Sequence, residues 1–397
     1  MVGSISISGW RAVVAGAVAT LVVGTGLAAA ATPAVVGSGP VTTRVSLDAG
    51  GQQANGDSRD AAISGHGRFV AFVSYASNLV AGDTNGTSDV FVRDRRAQVT
   101  RRVSVGPGGR QANNGSYEPA ISADGRFVTF WSSASNLVAG DTNRRADVFV
   151  RDRVAQVTRR VSVGPGGRQA NGFSRDPAIS ADGRFVAFRS GASNLVAGDT
   201  RFTDDVFVRD RVAQLTRRIS VGPGGQQANG ESLDPAISAD GRFVAFDSFA
   251  TNLVAGDTNN AYDVFVRDRV AQLTRRISVG PGGQQANDHS FTPAISAHGR
   301  FVGFVSLASN LVAGDTNQWD DMFVRDRVAQ LTRRVSVGPA GQQANSYSFG
   351  KPAISAHGRF VAFFSNATNL VPGDTNNAFD VFVRDRVAQV TRRVSVG

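Results

Sequence analysis

Short runs rich in Val, Ile and Phe recur along the chain, each bounded by Asp-Gly, His-Gly or Gly-rich punctuation, and no stretch sustains a 3.6-residue apolar period. Such runs predict strands. They fall in a fixed order that repeats every 58 residues: Ile63, Ile121, Ile179, Ile237 and Ile295 are equivalent, and Ile354 follows after one inserted residue near Lys351. In the fourth copy the unit reads Pro235-Ala-Ile-Ser-Ala-Asp-Gly-Arg-Phe-Val-Ala-Phe246, then Asn252-Leu-Val-Ala-Gly-Asp257-Thr-Asn259, Asp263-Val-Phe-Val-Arg-Asp268 and Thr274-Arg-Arg-Ile-Ser-Val279. Four strands fit it: a around Ala236–Ser238, b over Arg242–Ser248, c over Asp263–Arg267 and d over Arg276–Val279. Asp240-Gly241 supplies the positive φ values of a tight a–b hairpin. His66-Gly67, His298-Gly299 and His357-Gly358 replace it in three copies, so these histidines read first as turn residues.

A four-stranded unit repeated six times predicts an all-β, six-bladed β-propeller, with blades at about 60–106, 118–164, 176–222, 234–280, 292–338 and 350–396. Strands b and c are apolar on both faces, as blades sandwiched between neighbours require. A β-solenoid is the alternative, although its coils are usually shorter. One more d-like segment, strand 42–48 with Thr42-Thr-Arg-Val-Ser-Leu47, precedes the first unit. It is expected to take the outer position of the sixth blade, or to add to it as a fifth strand, because a free edge is a liability.

At these residues the chain resembles the WD40-like (PD40) repeat of TolB-type propellers: Pro-Ala-Ile-Ser-Ala-Asp-Gly-Arg-Phe-Val-Ala-Phe followed by Asp-Val-Phe-Val-Arg-Asp, in all six copies. The resemblance implies an exported bacterial six-bladed propeller used in protein–protein contact. The long b–c insertion departs from that pattern, and a role in the Tol envelope system is not carried over.

Residues 1–31 hold a lone basic residue, Arg11, followed by the uncharged run Ala12–Ala31, which ends in Ala29-x-Ala31. This reads as a Sec-type signal peptide, with an uncleaved anchor as the alternative, and residues 32–41 as a short linker. The expected location is outside the bacterial cytoplasm, secreted or envelope-associated, with no membrane span after cleavage. There is no cysteine, so packing must stabilise the exported chain. The formal charge of +10 comes almost entirely from Arg, Lys351 being the only lysine, and the basic residues alternate with acids rather than forming a stripe. Nucleic acid is therefore not an expected partner. A monomer that binds a protein or a cell-wall or envelope component is.

Crossing the blade four times puts the a–b and c–d turns on one face and the b–c and d–a loops on the other. Variation between copies concentrates on the second face. Exposed loop drift would produce this, and so would a binding surface; the candidate partner-binding residues there are Tyr75, Tyr117, Phe249, Tyr262, Phe291, Trp319, Phe349 and Phe379. A second motif, Asp-Thr-Asn-x-x-x-Asp, recurs at Asp83/Asn85/Asp89, Asp141/Asn143/Asp147, Asp257/Asn259/Asp263, Asp315/Asn317/Asp321 and Asp374/Asn376/Asp380. Two carboxylates and an amide could begin a calcium shell, or could cap the turn entering strand c; Arg201 in the third copy fits capping better. No nucleophile elbow, zinc motif or phosphate loop is present. The expected function is a binding or scaffolding module, with a propeller-type glycan hydrolase or lyase, or a calcium-stabilised surface protein, as the alternatives.

Overall fold

The computed structural model describes residues 42–395. The leader and linker assigned to residues 1–41 lie outside the described residues. Within them, six four-stranded antiparallel sheets follow one another along the chain, each with its strands in the order a-b-c-d, and together they form a six-bladed β-propeller. Strands a are Ser58–Ile63, Ser116–Ile121, Ser174–Ile179, Ser232–Ile237, Ser290–Ile295 and Ser348–Ile354; they pack on one another and line the axis.

Blade 4 shows why the sequence folds this way. Strand b (Phe243–Ser248) is the most apolar run and pairs on both sides, with a through Ala245 opposite Ala236 and with c (Asp263–Asp268) through Phe246 opposite Phe265. The two phenyl rings stack at 5.9 Å between centroids, which adds about 1 kcal/mol beyond their burial. Strand a begins earlier than its apolar residues suggest, because a bulge between Leu233 and Ala236, with Asp234 at φ 47°, absorbs Pro235. Strand d also shifts. It spans Leu273–Arg276 rather than Arg276–Val279, since the c–d turn closes at Gln272 (φ 53°) and Leu273 already pairs with Asp268. Ile277 still donates its backbone N–H to the Val264 carbonyl at 2.7 Å, and Val279 then leaves the sheet to bridge Gln285.

Blades are joined face to face by one repeated junction. Strand a of each blade lies over strands b and c of the preceding one, and apolar side chains of both fill the gap: Ala245, Val264, Val266 and Ile277 of blade 4 against Val302, Phe304, Leu311 and Phe323 of blade 5. At the a–b end, the ring of Phe185 abuts Gly241 of the next blade, and Arg269 of that blade stacks its guanidinium 4.3 Å from the ring centroid. A backbone bond from each a–b turn to the next completes the contact, from Gly65 N to Ala123 O, Ala123 N to Ala181 O, Ala181 N to Ala239 O, Ala239 N to Ala297 O and Ala297 N to Ala356 O, at 2.9–3.1 Å.

The N-terminal segment does not close the sixth blade. That blade is built from its own strands Ser348–Ile354, Phe360–Ser365, Asp380–Asp385 and Val390–Arg393, so its outer position is already filled. Thr42–Ser46 joins no sheet, and Leu47 bridges Gln53 on the surface of blade 1. There its carbonyl accepts the hydroxyl of Thr100, as the carbonyls of Val105, Val163, Val221, Val279 and Val337 accept Thr158, Thr216, Thr274, Thr332 and Thr391 of the following blades. The segment thus copies the link between two blades, not the edge strand of one.

Gly241 and Gly256 separate two demands on glycine. Both hold a positive φ, +72° and +71°, but a Cβ at Gly241 would collide with Phe185 whereas one at Gly256 meets nothing within 4 Å. Gly256→Ala is expected to cost about 1 kcal/mol from backbone strain alone, and Gly241→Ala about 2–4 kcal/mol, as measured by urea unfolding. Equal losses would show that the junction does not depend on this close approach.

Candidate binding face

The face carrying the a–b and c–d turns is uniform. In every blade an arginine before strand b pairs with the aspartate ending strand c: Arg68–Asp94, Arg126–Asp152, Arg184–Asp210, Arg242–Asp268, Arg300–Asp326 and Arg359–Asp385, all at 2.7 Å. The Arg68 hydrogen bond holds the Asp94 carboxyl down at about 2. His66, His298 and His357 sit in the turns of this face, and nothing there differs enough between blades to single out one ligand.

The Asp-Thr-Asn-x-x-x-Asp loops enclose a guanidinium. In blade 4, Arg276 of strand d reaches Asp257 at 3.2 Å and Asp263 at 3.4 Å; Asn259 donates to Asp263 at 3.1 Å and Ser278 supplies a further hydrogen bond to it. Arg102, Arg160, Arg334 and Arg393 occupy the same place between Asp83 and Asp89, Asp141 and Asp147, Asp315 and Asp321, and Asp374 and Asp380. Asn85, Asn143, Asn317 and Asn376 likewise donate to the second aspartate. In the third blade, where Arg201 stands in place of the asparagine, Arg218 still bridges Asp199 and Asp205. A calcium ion at these carboxylates would have to displace the arginine. Among the described residues no group of three or more His, Cys, Asp or Glu is arranged around a common point for a metal. Burial pushes Asp147, Asp205, Asp263 and Asp321 up to about 6 against the pull of the arginine and serine.

The opposite face gathers the aromatic residues. Tyr75 is exposed and accepts a hydrogen bond from Arg59 at 3.1 Å. Tyr117 is half-buried and stacks on Trp131 at 4.4 Å, with Arg175 5.1 Å from the indole. Phe249, Tyr262 and His289 form a chain of rings at 5.3 and 5.8 Å, and the Tyr262 hydroxyl donates to Glu231. Burial and that hydrogen bond raise the Tyr262 phenol. Trp319 meets Tyr347 edge-on at 4.3 Å, and Phe379 meets Phe349 at 4.9 Å. Phe291 packs on the core between blades 5 and 6, and Tyr117 packs on the core between blades 1 and 2. Phe173, Phe202 and Tyr347, not among the residues selected from sequence, are also exposed here, Phe202 by 82%.

The mouth of the axial channel on this face holds an asymmetric charge cluster that the repeat pattern hides. The penultimate residue of strand b is Val73, Trp131, Arg189, Asp247, Val305 and Phe364 in successive blades, while its neighbours barely change. Arg189 pairs with Asp176 and, at 2.5 Å, with Asp204. Asp247 is fully enclosed near Asp234, and Lys351, brought in by the single inserted residue, reaches over from blade 6 to donate to the Pro235 carbonyl at 3.0 Å. Burial, then the Asp234 charge, raises the Asp247 carboxyl well above the usual range, and Lys351 opposes them. Variation at one strand position was the available signal; it was obscured because the loops beside it vary more.

Against known proteins, no family model matches the chain and no curated relative does. Solved structures do. The chain is similar to the β-propeller domain of the Trilobed protease from Pyrococcus furiosus (10% identity, 87% of this chain and 85% of that one, TM-score 0.50) and to an oligogalacturonate lyase in complex with manganese (12%, 84% and 75%, TM-score 0.51). TolB from Acinetobacter baumannii aligns at 12% identity over 78% of this chain, with TM-score 0.43, and the chain spans 60% of its length. The fold is that of a six-bladed β-propeller. At 10–12% identity the likeness extends to the fold and stops there.

Two outcomes follow. Removing the caged arginine by Arg276→Leu strands two buried carboxylates and is expected to cost about 3–5 kcal/mol in urea unfolding, whereas replacing an exposed arginine by Arg242→Gln should cost less than about 1 kcal/mol. The pH dependence follows from the raised carboxyls: their native state holds more protons than the unfolded chain, whose aspartates titrate near about pH 4, so stability falls as pH rises from there through about 6. Asp247→Asn should make that decline shallower in calorimetric scans and raise the melting temperature at neutral pH; a steeper decline in the variant would contradict the assignment.

Proposed function

We propose that the protein is an exported binding or scaffolding module whose b–c/d–a face engages a protein or cell-envelope partner. One observation carries the reading: all seven strongly exposed Phe, Tyr and Trp side chains among the described residues, Tyr75, Phe173, Phe202, Phe249, Trp319, Tyr347 and Phe379, lie on that face. The exposed apolar residues of the c–d turns opposite are aliphatic, Val154, Val212, Val270, Val328 and Val387. Drift in unconstrained loops would scatter polar residues, whereas aromatic side chains left in water are favoured where a partner covers them. No helix among the described residues is long and apolar enough to cross a membrane.

A second reading draws on the channel mouth. Asp234, Asp247, Arg189 and Lys351 are unlike groups brought together at one place, which catalysis on a charged glycan would use. Binding of residues 32–397 to envelope proteins and cell-wall glycans separates the two. The module reading expects saturable binding without turnover, weakened about 10-fold or more by Trp319→Ala combined with Phe379→Ala and unchanged by Val270→Ala. Glycan cleavage abolished by Lys351→Met would favour the enzyme, and equal losses from both faces would refute the face assignment.

A further inference from the structure

Five blade junctions are made among the described residues; the one between blade 6 and blade 1 is not. Val394, the residue after strand d of blade 6, is 45% exposed, where its equivalents Val103, Val161, Ile219, Ile277 and Val335 are at most 3% exposed under the next blade. Val381 and Val383 of strand c are only half-buried, while the corresponding residues of blades 1–5 are enclosed. Phe69, Phe127, Phe185, Phe243 and Phe301 each carry an arginine of the following blade; Phe360 is stacked only by its own Arg359. On the other side, strand a of blade 1 is uncovered: Ser58 is exposed, whereas Ser116, Ser174, Ser232, Ser290 and Ser348 are fully buried.

The two uncovered surfaces are complementary, because each is a copy of surfaces that already fit together five times. A head-to-tail contact of this kind closes into a ring only when its rotation brings the ends together; otherwise the free ends recruit another copy. Here five near-identical junctions leave the ends unjoined. We propose that the open face of blade 6 docks strand a of blade 1 from a second copy of this chain, so that the protein assembles head to tail rather than remaining a monomer. Leu47–Asp57 of the second copy already lies on its blade 1 as the linker of such a junction, through the Thr100–Leu47 contact and Arg93, which donates to the Asp48 carbonyl at 2.9 Å. Only Thr42–Ser46, which pairs with no strand, overlaps the place of Thr391–Ser395 and must move aside.

The made junctions supply the probe. A Cβ at Gly303 of blade 5 would stand 3.8 Å from the Pro352 Cβ of blade 6, a disulfide separation, and the equivalent positions at the open ends are Ala362 and Ala61. The chain has no cysteine of its own. Ala61→Cys and Ala362→Cys, made in separate chains and mixed under oxidation, are expected to give a covalent dimer between the two variants. Light scattering of the wild type across micromolar concentrations should show a mass at least twice the monomer's, and Val383→Asp with Val394→Asp should return it to monomer with unchanged secondary structure. A wild type monomeric throughout, or a double-cysteine chain that closes only within itself, would overturn the proposal.

Discussion

The contact between the phenylalanine that opens strand b and the glycine of the following blade's turn is what the rest of the architecture depends on. Phe185 can lie against Gly241 only because no Cβ stands there, and once it does, Arg269 covers its other side and the turn-to-turn backbone bonds fall into place. Each repeat is too small to bury its own strands b and c. Stability is therefore a sum over junctions, as in other repeat proteins, and the sequence is free to change only where no junction needs it.

That division explains the two faces. The a–b and c–d turns take part in junctions and in the Arg–Asp pairs, so they stay alike from blade to blade. The b–c loops are fixed at their base by a caged arginine, through Asp257, Asp263 and Arg276 in blade 4, but their tips, such as Phe202 and Trp319, contribute little to any core. The loops thus combine a rigid foundation with free side chains, the arrangement in which recognition surfaces are built on repeat scaffolds. The inserted residue that carries Lys351 to the channel mouth shows how one change in one copy breaks the symmetry.

The fold was legible because its period was. Identical spacing of Ile63, Ile121 and their equivalents, with Asp-Gly punctuation, leaves few alternatives to blades. Element edges were less so: the bulge at Asp234 and the early start of strand d at Leu273 depend on φ values that apolar patterning does not encode. The aspartate motif could be found but not interpreted, since its partner Arg276 is supplied by another strand and looks in sequence like one more surface arginine. The N-terminal segment departs from its expected place in the sixth blade for a related reason. Its likeness to strand d is real, yet the link it imitates is the tail after that strand, where Leu47 meets Thr100.

In the proposed division one face is scaffold and the other is the binding surface. Hydrogen exchange of the free protein and of its complex with an envelope partner, mapped by mass spectrometry, tests it directly. Protection gained on binding should fall in the b–c and d–a segments that carry Tyr75, Phe202, Trp319 and Phe379. Protection confined to the turns around Gly67, Gly241 and Gly358, with the aromatic loops unchanged, would contradict the account.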